Sequence, residues 1–437
     1  MHFVLRLVPL ALLLACEVPE PMEPVLDAAV EPDCSLALDD VERSGRQGQR
    51  MQVPFTAGVD VTAVRLEQLV SLSDSVVDGV LRVTLPYQAT SAKAVLAVDC
   101  AGATKTVDVD FTVSPLVWSR ATEWTGAAGP TAREYFSMWL DPKNEDRLFV
   151  FGGFVYVPQQ FTPSTELWSL DVTSGVWTAV AQSGAQPTLA GGRLAVDADG
   201  GALYFSGVDV SANATPYALT ALVVDSNTAT WTSAPAASGA RGEYQPSFFF
   251  DAKRGRHLSV CGISDAVGYH CDVRELVGNA WRAVTTSGMP PIGRNGHAWV
   301  YDAKEDRLVI FGGDRQGSTL GDTWVLELSG ATPTWVKLFD ASVAAEARRN
   351  MAWALDTVNH RLLIWGGTPD GANAVAGVQA LDLTRGDEHW SQVDVTGDVP
   401  PARASGAAVF DAKRGRLLMG FGNTIAGQYA DLWALQL

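Results

Sequence analysis

The sequence predicts an all-β protein, a six-bladed β-propeller preceded by a small β-sandwich, on three observations. An ordered set of residues recurs with a period of about 55. Within each period short apolar strands end at an Asp or at small residues, with no helical periodicity between them. Each period also carries a late tryptophan, at Trp177, Trp231, Trp281, Trp335 and Trp390.

The clearest copy begins at Arg294. Gly296 to Asp302 and Arg307 to Gly313 read as two strands, Trp324 to Leu328 as a third, and Trp335 marks a fourth. The same start falls at Arg133, Arg193, Arg241, Arg349 and Arg403, giving six copies. The second strands end at Phe151-Gly152-Gly153, Phe205-Ser206-Gly207, Val260-Cys261-Gly262, Phe311-Gly312-Gly313, Trp365-Gly366-Gly367 and Phe421-Gly422. Four short strands per copy describe one propeller blade. A strand that stops at Gly-Gly can turn through positive φ or let another backbone approach. The late Trp offers an apolar face to seal one blade on the next.

The Gly-Gly pairs at 152–153, 312–313 and 366–367, with the tryptophans downstream, resemble kelch repeats from about residue 116 to Leu437. The resemblance implies a closed ring whose innermost strands follow the Arg starts. The sixth copy reaches its third strand at Asp431 to Leu437, and a spare outer strand stands before the first copy. Trp118 to Ala121, leading to Arg133, parallels Trp390 to Val393, leading to Arg403. Residues near 116 to 122 are therefore expected to complete the sixth blade.

Upstream, Arg6 followed by the apolar run Leu7 to Leu14 reads as a signal peptide over residues 1–15, too short for a permanent span. Leu13-Leu14-Ala15-Cys16 resembles a bacterial lipobox, which implies lipidation of Cys16 and a membrane anchor in the cell envelope. Glu17, in place of the Asp linked to inner-membrane retention, favours the outer membrane. Residues 16–33 are rich in Pro and acidic residues and read as an extended tether. Residues 34–114 read as an immunoglobulin-like sandwich, with strands over Met51 to Phe55, Val76 to Val83, Ala94 to Val98 and Val107 to Val113, and the propeller fills 115–437. Four cysteines besides Cys16 suit an oxidising compartment, with disulfides expected between Cys34 and Cys100 and between Cys261 and Cys271.

The chain has 32 basic and 49 acidic residues, a net charge of −17, which disfavours nucleic acid and anionic lipid as ligands. No phosphate loop, Cys-x-x-Cys or Ser/His/Asp order occurs, no metal or cofactor is expected, and Asp197 to Gly201 reads as a turn. In kelch propellers the Arg-initiated strand is innermost. The resemblance therefore implies that Arg133, Arg193, Arg241, Arg294, Arg349 and Arg403 ring the channel mouth. Such a ring is either an anion site or, being present in every repeat, a structural clamp on backbone carbonyls. Ligand choice would fall to Glu134, Tyr135, Glu243, Tyr244, Asn295, His297, Asn350 and Ser405.

Two enzymatic resemblances bear on function. Kelch copper oxidases of sugars use Tyr, His and a Tyr cross-linked to Cys, and Tyr269-His270-Cys271 with His297 has that composition. They have seven blades with the immunoglobulin-like domain after the propeller, and here Cys271 has Cys261 as a partner. The six-bladed periplasmic kelch mutarotases acting on sialic acid need a carboxylate and Arg in the channel, which Glu134 with Arg133 or Glu243 with Arg241 could supply. The expectation is an exported, membrane-tethered, monomeric binding or scaffold protein whose propeller face engages a protein or glycan. A sugar-modifying enzyme is the alternative.

Overall fold

The computed structural model describes residues 32–437 apart from 69–73, 88–89, 124–127, 158–159, 198, 236 and 341–344. The signal-peptide stretch, Cys16 and most of the tether lie outside the described residues. The described residues are all-β, with a 3₁₀ turn at Ala412–Arg414 and no α-helix. No helix among them is long and apolar enough to cross a membrane.

Residues 36–114 form two four-stranded sheets. Alternation along Ala103–Ser114 turns Val109, Phe111 and Val113 inward. There they meet Ala94 and Leu96 of their own sheet and Val53, Leu81 and Val83 of the other. The expected single strand over Val76 to Val83 is instead a hairpin, Ser75–Val77 paired with Val80–Thr84. Asp78 and Gly79 both take positive φ, at 51° and 73°. Asp-Gly is favoured in the tight turn whose twist matches flanking strands, so it folds the apolar run back on itself. The Cys34–Cys100 disulfide is present, with S–S 2.01 Å.

From Leu116 onward six sheets of four or five strands follow. Their first strands are Ser137–Asp141, Arg193–Val196, Ser247–Asp251, Ala298–Asp302, Ala352–Asp356 and Ala407–Asp411. The sixth sheet contains the anticipated borrowed strand. Leu116–Glu123 runs antiparallel to Asp431–Gln436, with Trp118 opposite Leu435. Two sheets depart from four strands. Ala181–Gly184 lies parallel to Thr228–Ser233, and Val395–Gly397 parallel to Leu116–Glu123. In both, the chain leaving one sheet covers the outer edge of the next, where unpaired backbone groups would otherwise face water.

The core is divided between the sheets. Each outer-strand tryptophan packs on the sheet before it: Trp231 lies 4.5 Å from Phe151, Trp281 4.9 Å from Phe205 and Trp390 4.5 Å from Phe311. Trp118 meets Trp365 of the fifth sheet at 6.1 Å, and Trp177 of the first sheet meets Phe421 of the sixth at 6.3 Å. These side chains are almost fully buried, and no sheet encloses its own apolar faces.

The sandwich is fastened to the fifth sheet. Arg361, buried at the turn after Asp356, donates to Gln47 O at 2.8 Å and Tyr87 Oη at 3.2 Å, while Arg50 pairs with Asp382 at 3.2 Å. Its counterpart Arg307 in the fourth sheet reaches Glu388 and Leu383 O of the fifth sheet instead. The sandwich thus occupies a contact that adjoining sheets make elsewhere.

Candidate functional site

Just before each first strand one residue takes positive φ: Tyr135 (52°), Gly191 (70°), Gln245 (53°), Gly296 (59°), Asn350 (55°) and Ser405 (58°). Backbone bonds join most of these across neighbouring sheets. Tyr135 N donates to Ser405 O (3.1 Å), Gly191 N to Tyr135 O (3.2 Å), Gln245 N to Gly191 O (3.2 Å), Asn350 N to Gly296 O (2.7 Å) and Ser405 N to Asn350 O (2.7 Å). Between the third and fourth sheets a side chain makes the link, Asn295 Nδ2 donating to Gln245 Oε1 at 3.1 Å. The residue preceding each of the six bridges the stretch at or just past the end of its sheet's second strand: Glu134 to Phe154, Ala190 to Val208, Tyr244 to Ile263, Asn295 to Asp314, Arg349 to Thr368 and Ala404 to Asn423.

Inside this girdle lies a cavity of about 220 Å³, lined by residues from all six sheets. Tyr135, Gln245, Asn350 and Ser405 supply polar groups, and Trp139, Trp299 and Trp353 supply aromatic walls. Asn350 Nδ2 donates across it to Tyr135 Oη at 3.0 Å.

The six arginines do not form one ring. Arg133, Arg294 and Arg403 stand two residues before the positive-φ position and are buried. Each donates Nε to the carbonyl two residues earlier and Nη1 to the end of its second strand, at Gly152 O, Gly312 O and Phe421 O, all at 3.0 Å. A carboxylate completes each set: Glu166, Asp322 and Asp431. In the fifth repeat the residue in that place is Arg348, whose Nη1 reaches Gly366 O at 3.3 Å, so the counting that placed the start at Arg349 was one residue late. Arg349 turns instead to Asp314.

The second and third repeats break the pattern. The residue two before Gln245 is Glu243, fully buried and bonded by Ser259 and by Arg241 at 2.6 Å. Arg241 also reaches Asp272 at 3.1 Å. His270 lies on the same Asp272, and these contacts with Arg241 and His270 hold its carboxyl far below the usual range against the opposing effect of burial. The spacing of the starts hid this inversion, because a guanidinium at 241 looks equivalent to one at 243.

Arg193 lies two residues after Gly191, on the first strand itself, and lines the cavity. Its guanidinium sits 5.5 Å from the ring centre of Trp353 and has no hydrogen-bond or ion-pair partner among the described residues. Burial holds its pKa below the ordinary value, with Tyr244, Tyr204 and Tyr135 opposing that effect. Trp299 Nε1, in the same wall, is likewise a buried donor without a partner.

Glu134 is buried and burial pushes its carboxyl up to about 7, a shift that its contact with Gln428 only partly offsets. One oxygen, Oε2, has no partner. The Tyr244 ring fits against Gly191, where a β-carbon would come within 2.1 Å of Cε2, and lies 6.2 Å from Tyr135. His297 is buried with Nε2 on Ser247 Oγ at 2.7 Å, and burial together with Arg294 keeps it neutral, well below its ordinary pKa. The Cys261–Cys271 disulfide is present, with S–S 2.03 Å. Cys271 therefore has no sulfur to cross-link with a tyrosine, and Tyr269 Oη bonds Asp314 at 3.1 Å. No cluster of three or more His, Cys, Asp or Glu suited to a metal occurs among the described residues.

Comparison with known proteins agrees with the repeat. Residues 264–437 match the KLHDC2/KLHL20/DRC7 Kelch-repeats domain. Acyl-CoA-binding domain-containing protein 4 of Arabidopsis thaliana is 33% identical over 130 residues, 30% of this chain and 18% of that protein. Adagio-like protein 3 of Oryza sativa subsp. japonica is 30% identical over 125 residues, 28% of this chain and 19% of that protein. The match thus spans under a fifth of the length of either relative. A solved structure described as "Structure of YjhT" superposes with a TM-score of 0.49 at 15% identity, covering 71% of this chain and 95% of that one.

Proposed function

We propose that the six sheets are the blades of one kelch propeller behind an immunoglobulin-like sandwich, and that this propeller is the receptor of an exported, membrane-tethered binding protein. The ligand, a glycan or protein, presents an anionic group to the central cavity. One observation carries the reading: Arg193 lines a cavity built from all six sheets, and its guanidinium, beside the Trp353 ring, has no hydrogen-bond or ion-pair partner among the described residues. A guanidinium whose buried Nε finds no acceptor costs stability, and a carboxylate would supply the missing charge and two acceptors at once. Trp299 Nε1 adds a further donor, and Trp353 and Trp139 give apolar faces against which a sugar ring packs. The Arg133, Arg294, Arg348 and Arg403 guanidinia are already occupied and take no part.

The test is an array of acidic and neutral glycans and acidic peptides probed with the wild-type protein and Arg193→Gln. Binding confined to carboxylated ligands and lost in the variant supports the proposal. Binding that survives the substitution overturns it. Mass spectrometry of the envelope-purified protein tests the tether, which requires an acylated Cys16 at the mature N-terminus.

Glu134 favours a second reading, a sugar-modifying enzyme. A buried carboxyl raised to about 7, on the residue next to Tyr135 of the cavity wall, is suited to passing protons at neutral pH. Loss of turnover of a bound acidic sugar in Glu134→Gln, with binding retained, would select this reading over simple binding.

A further inference from the structure

Beyond the glycine break in the third and fourth repeats the second and third strands stay paired, whereas in the first repeat this outer stretch stands apart. Phe154–Val157 pairs with Gln160–Pro163 as a separate two-stranded hairpin. Tyr156 stands opposite Phe161, and both are large exposed aromatics, 56% and 47% accessible. Exposing two such rings side by side is costly unless something covers them in use.

The rings continue inward without a gap. Tyr156 lies 5.4 Å from Phe161, Phe161 6.4 Å from the buried Phe154, and Phe154 6.2 Å from Tyr135 of the cavity wall. The hairpin is also held in place. Gln428, from the short hairpin of the sixth repeat, accepts from Tyr156 N at 2.9 Å and donates to Phe154 O at 3.1 Å. An aromatic track thus leads from the rim to the chamber that contains Arg193.

We propose that this hairpin is an outer subsite for the neutral sugars of an oligosaccharide whose single acidic residue sits in the cavity, an inference that rests on the binding reading above. Pyranose rings present flat C–H faces that lie on exposed Tyr and Phe rings, and Tyr156 and Phe161 provide two such faces outside the cavity, with buried Phe154 backing them toward Tyr135. The ligand carries one charge rather than many. Arg193 is the cavity's unpaired cation among the described residues, and Asp265 and Asp370 stand exposed in loops on the same side. With a net charge of −17 behind them, a polyanion would be repelled along the track.

Calorimetric titration of the full-length protein with glucuronic acid and with an aldotetraouronic acid, three xyloses bearing one methylglucuronic acid, tests this. The tetrasaccharide is expected to bind about tenfold tighter than the monosaccharide. In Tyr156→Ala/Phe161→Ala the advantage disappears while glucuronic acid binds within about twofold of wild type. Both side chains are exposed, so the variant retains its fold. Equal affinity of the two probes for wild type, or an advantage that persists in the variant, overturns the subsite and leaves the cavity reading standing. Failure of wild type to bind either probe removes the cavity reading, and the subsite with it.

Discussion

Trp118 stands opposite Leu435 in an antiparallel pair, although more than three hundred residues separate them in the chain. Trp118 is 1% exposed and fills the space between the fifth and sixth sheets against Trp365. The long-range pair therefore joins the beginning of the repeat region to its end.

Trp118→Ala is expected to lower stability by roughly 3–5 kcal/mol, through lost burial and the cavity left behind. Denaturant unfolding should show a lower midpoint. A midpoint equal to wild type would mean that the borrowed strand does not stabilise the sixth sheet.

The clamping arginines and the free one should separate cleanly in the same assay. Arg294→Ala leaves Asp322 largely buried without its partner and is expected to cost roughly 3–5 kcal/mol. Arg348→Ala should be destabilising for the same kind of reason, since two carbonyls lose their donor. Arg193→Ala removes no protein contact except the one with Trp353, and stability should stay within about 1 kcal/mol of wild type.

Glu134 gives a pH signature of definite sign. Its folded pKa of about 7 lies above the unfolded 4.5, so the folded state holds the proton more tightly. The contribution to stability is complete below the unfolded value and is lost as pH rises through 7. Relative to Glu134→Gln, wild type should lose roughly 3 kcal/mol between pH 4.5 and pH 8. Parallel stability curves for the two proteins over that range would contradict the burial of this carboxyl.

The disulfides should differ in worth. Cys34 and Cys100 are 66 residues apart in sequence, while Cys261 and Cys271 are 10 apart. Closing the longer loop removes more freedom from the unfolded chain, so paired Cys→Ser replacement is expected to cost roughly 4 kcal/mol at the first bridge and roughly 3 kcal/mol at the second. Thermal unfolding of the two double variants checks the order.

Strand-level features were legible because they depend on neighbours in sequence. Alternation marked Val107 to Val113, and small residues marked the ends of second strands such as Phe311-Gly312-Gly313. The Val76 to Val83 hairpin was missed although Asp78-Gly79 carried the signal, because the apolar run on either side reads as continuous. The site was harder to read. All six arginines recur at similar spacing, yet Arg193 and Arg241 stand at other registers and Arg348, not its neighbour Arg349, takes the repeat's place. Nothing local distinguishes them, since the groups that engage Arg294 and Arg403 lie 18 and 28 residues downstream.

The amino-acid sequence by itself determined the repeat, most of its strands and the spare outer strand, because alternation and turn residues act over a few positions. Only the tertiary structure decided which guanidinium is left free. That depends on whether a carboxylate or carbonyl from a distant strand or adjoining sheet comes within hydrogen-bond reach. Arg294 meets Asp322 and is spent, whereas Arg193 meets only the face of Trp353 and remains available to a ligand.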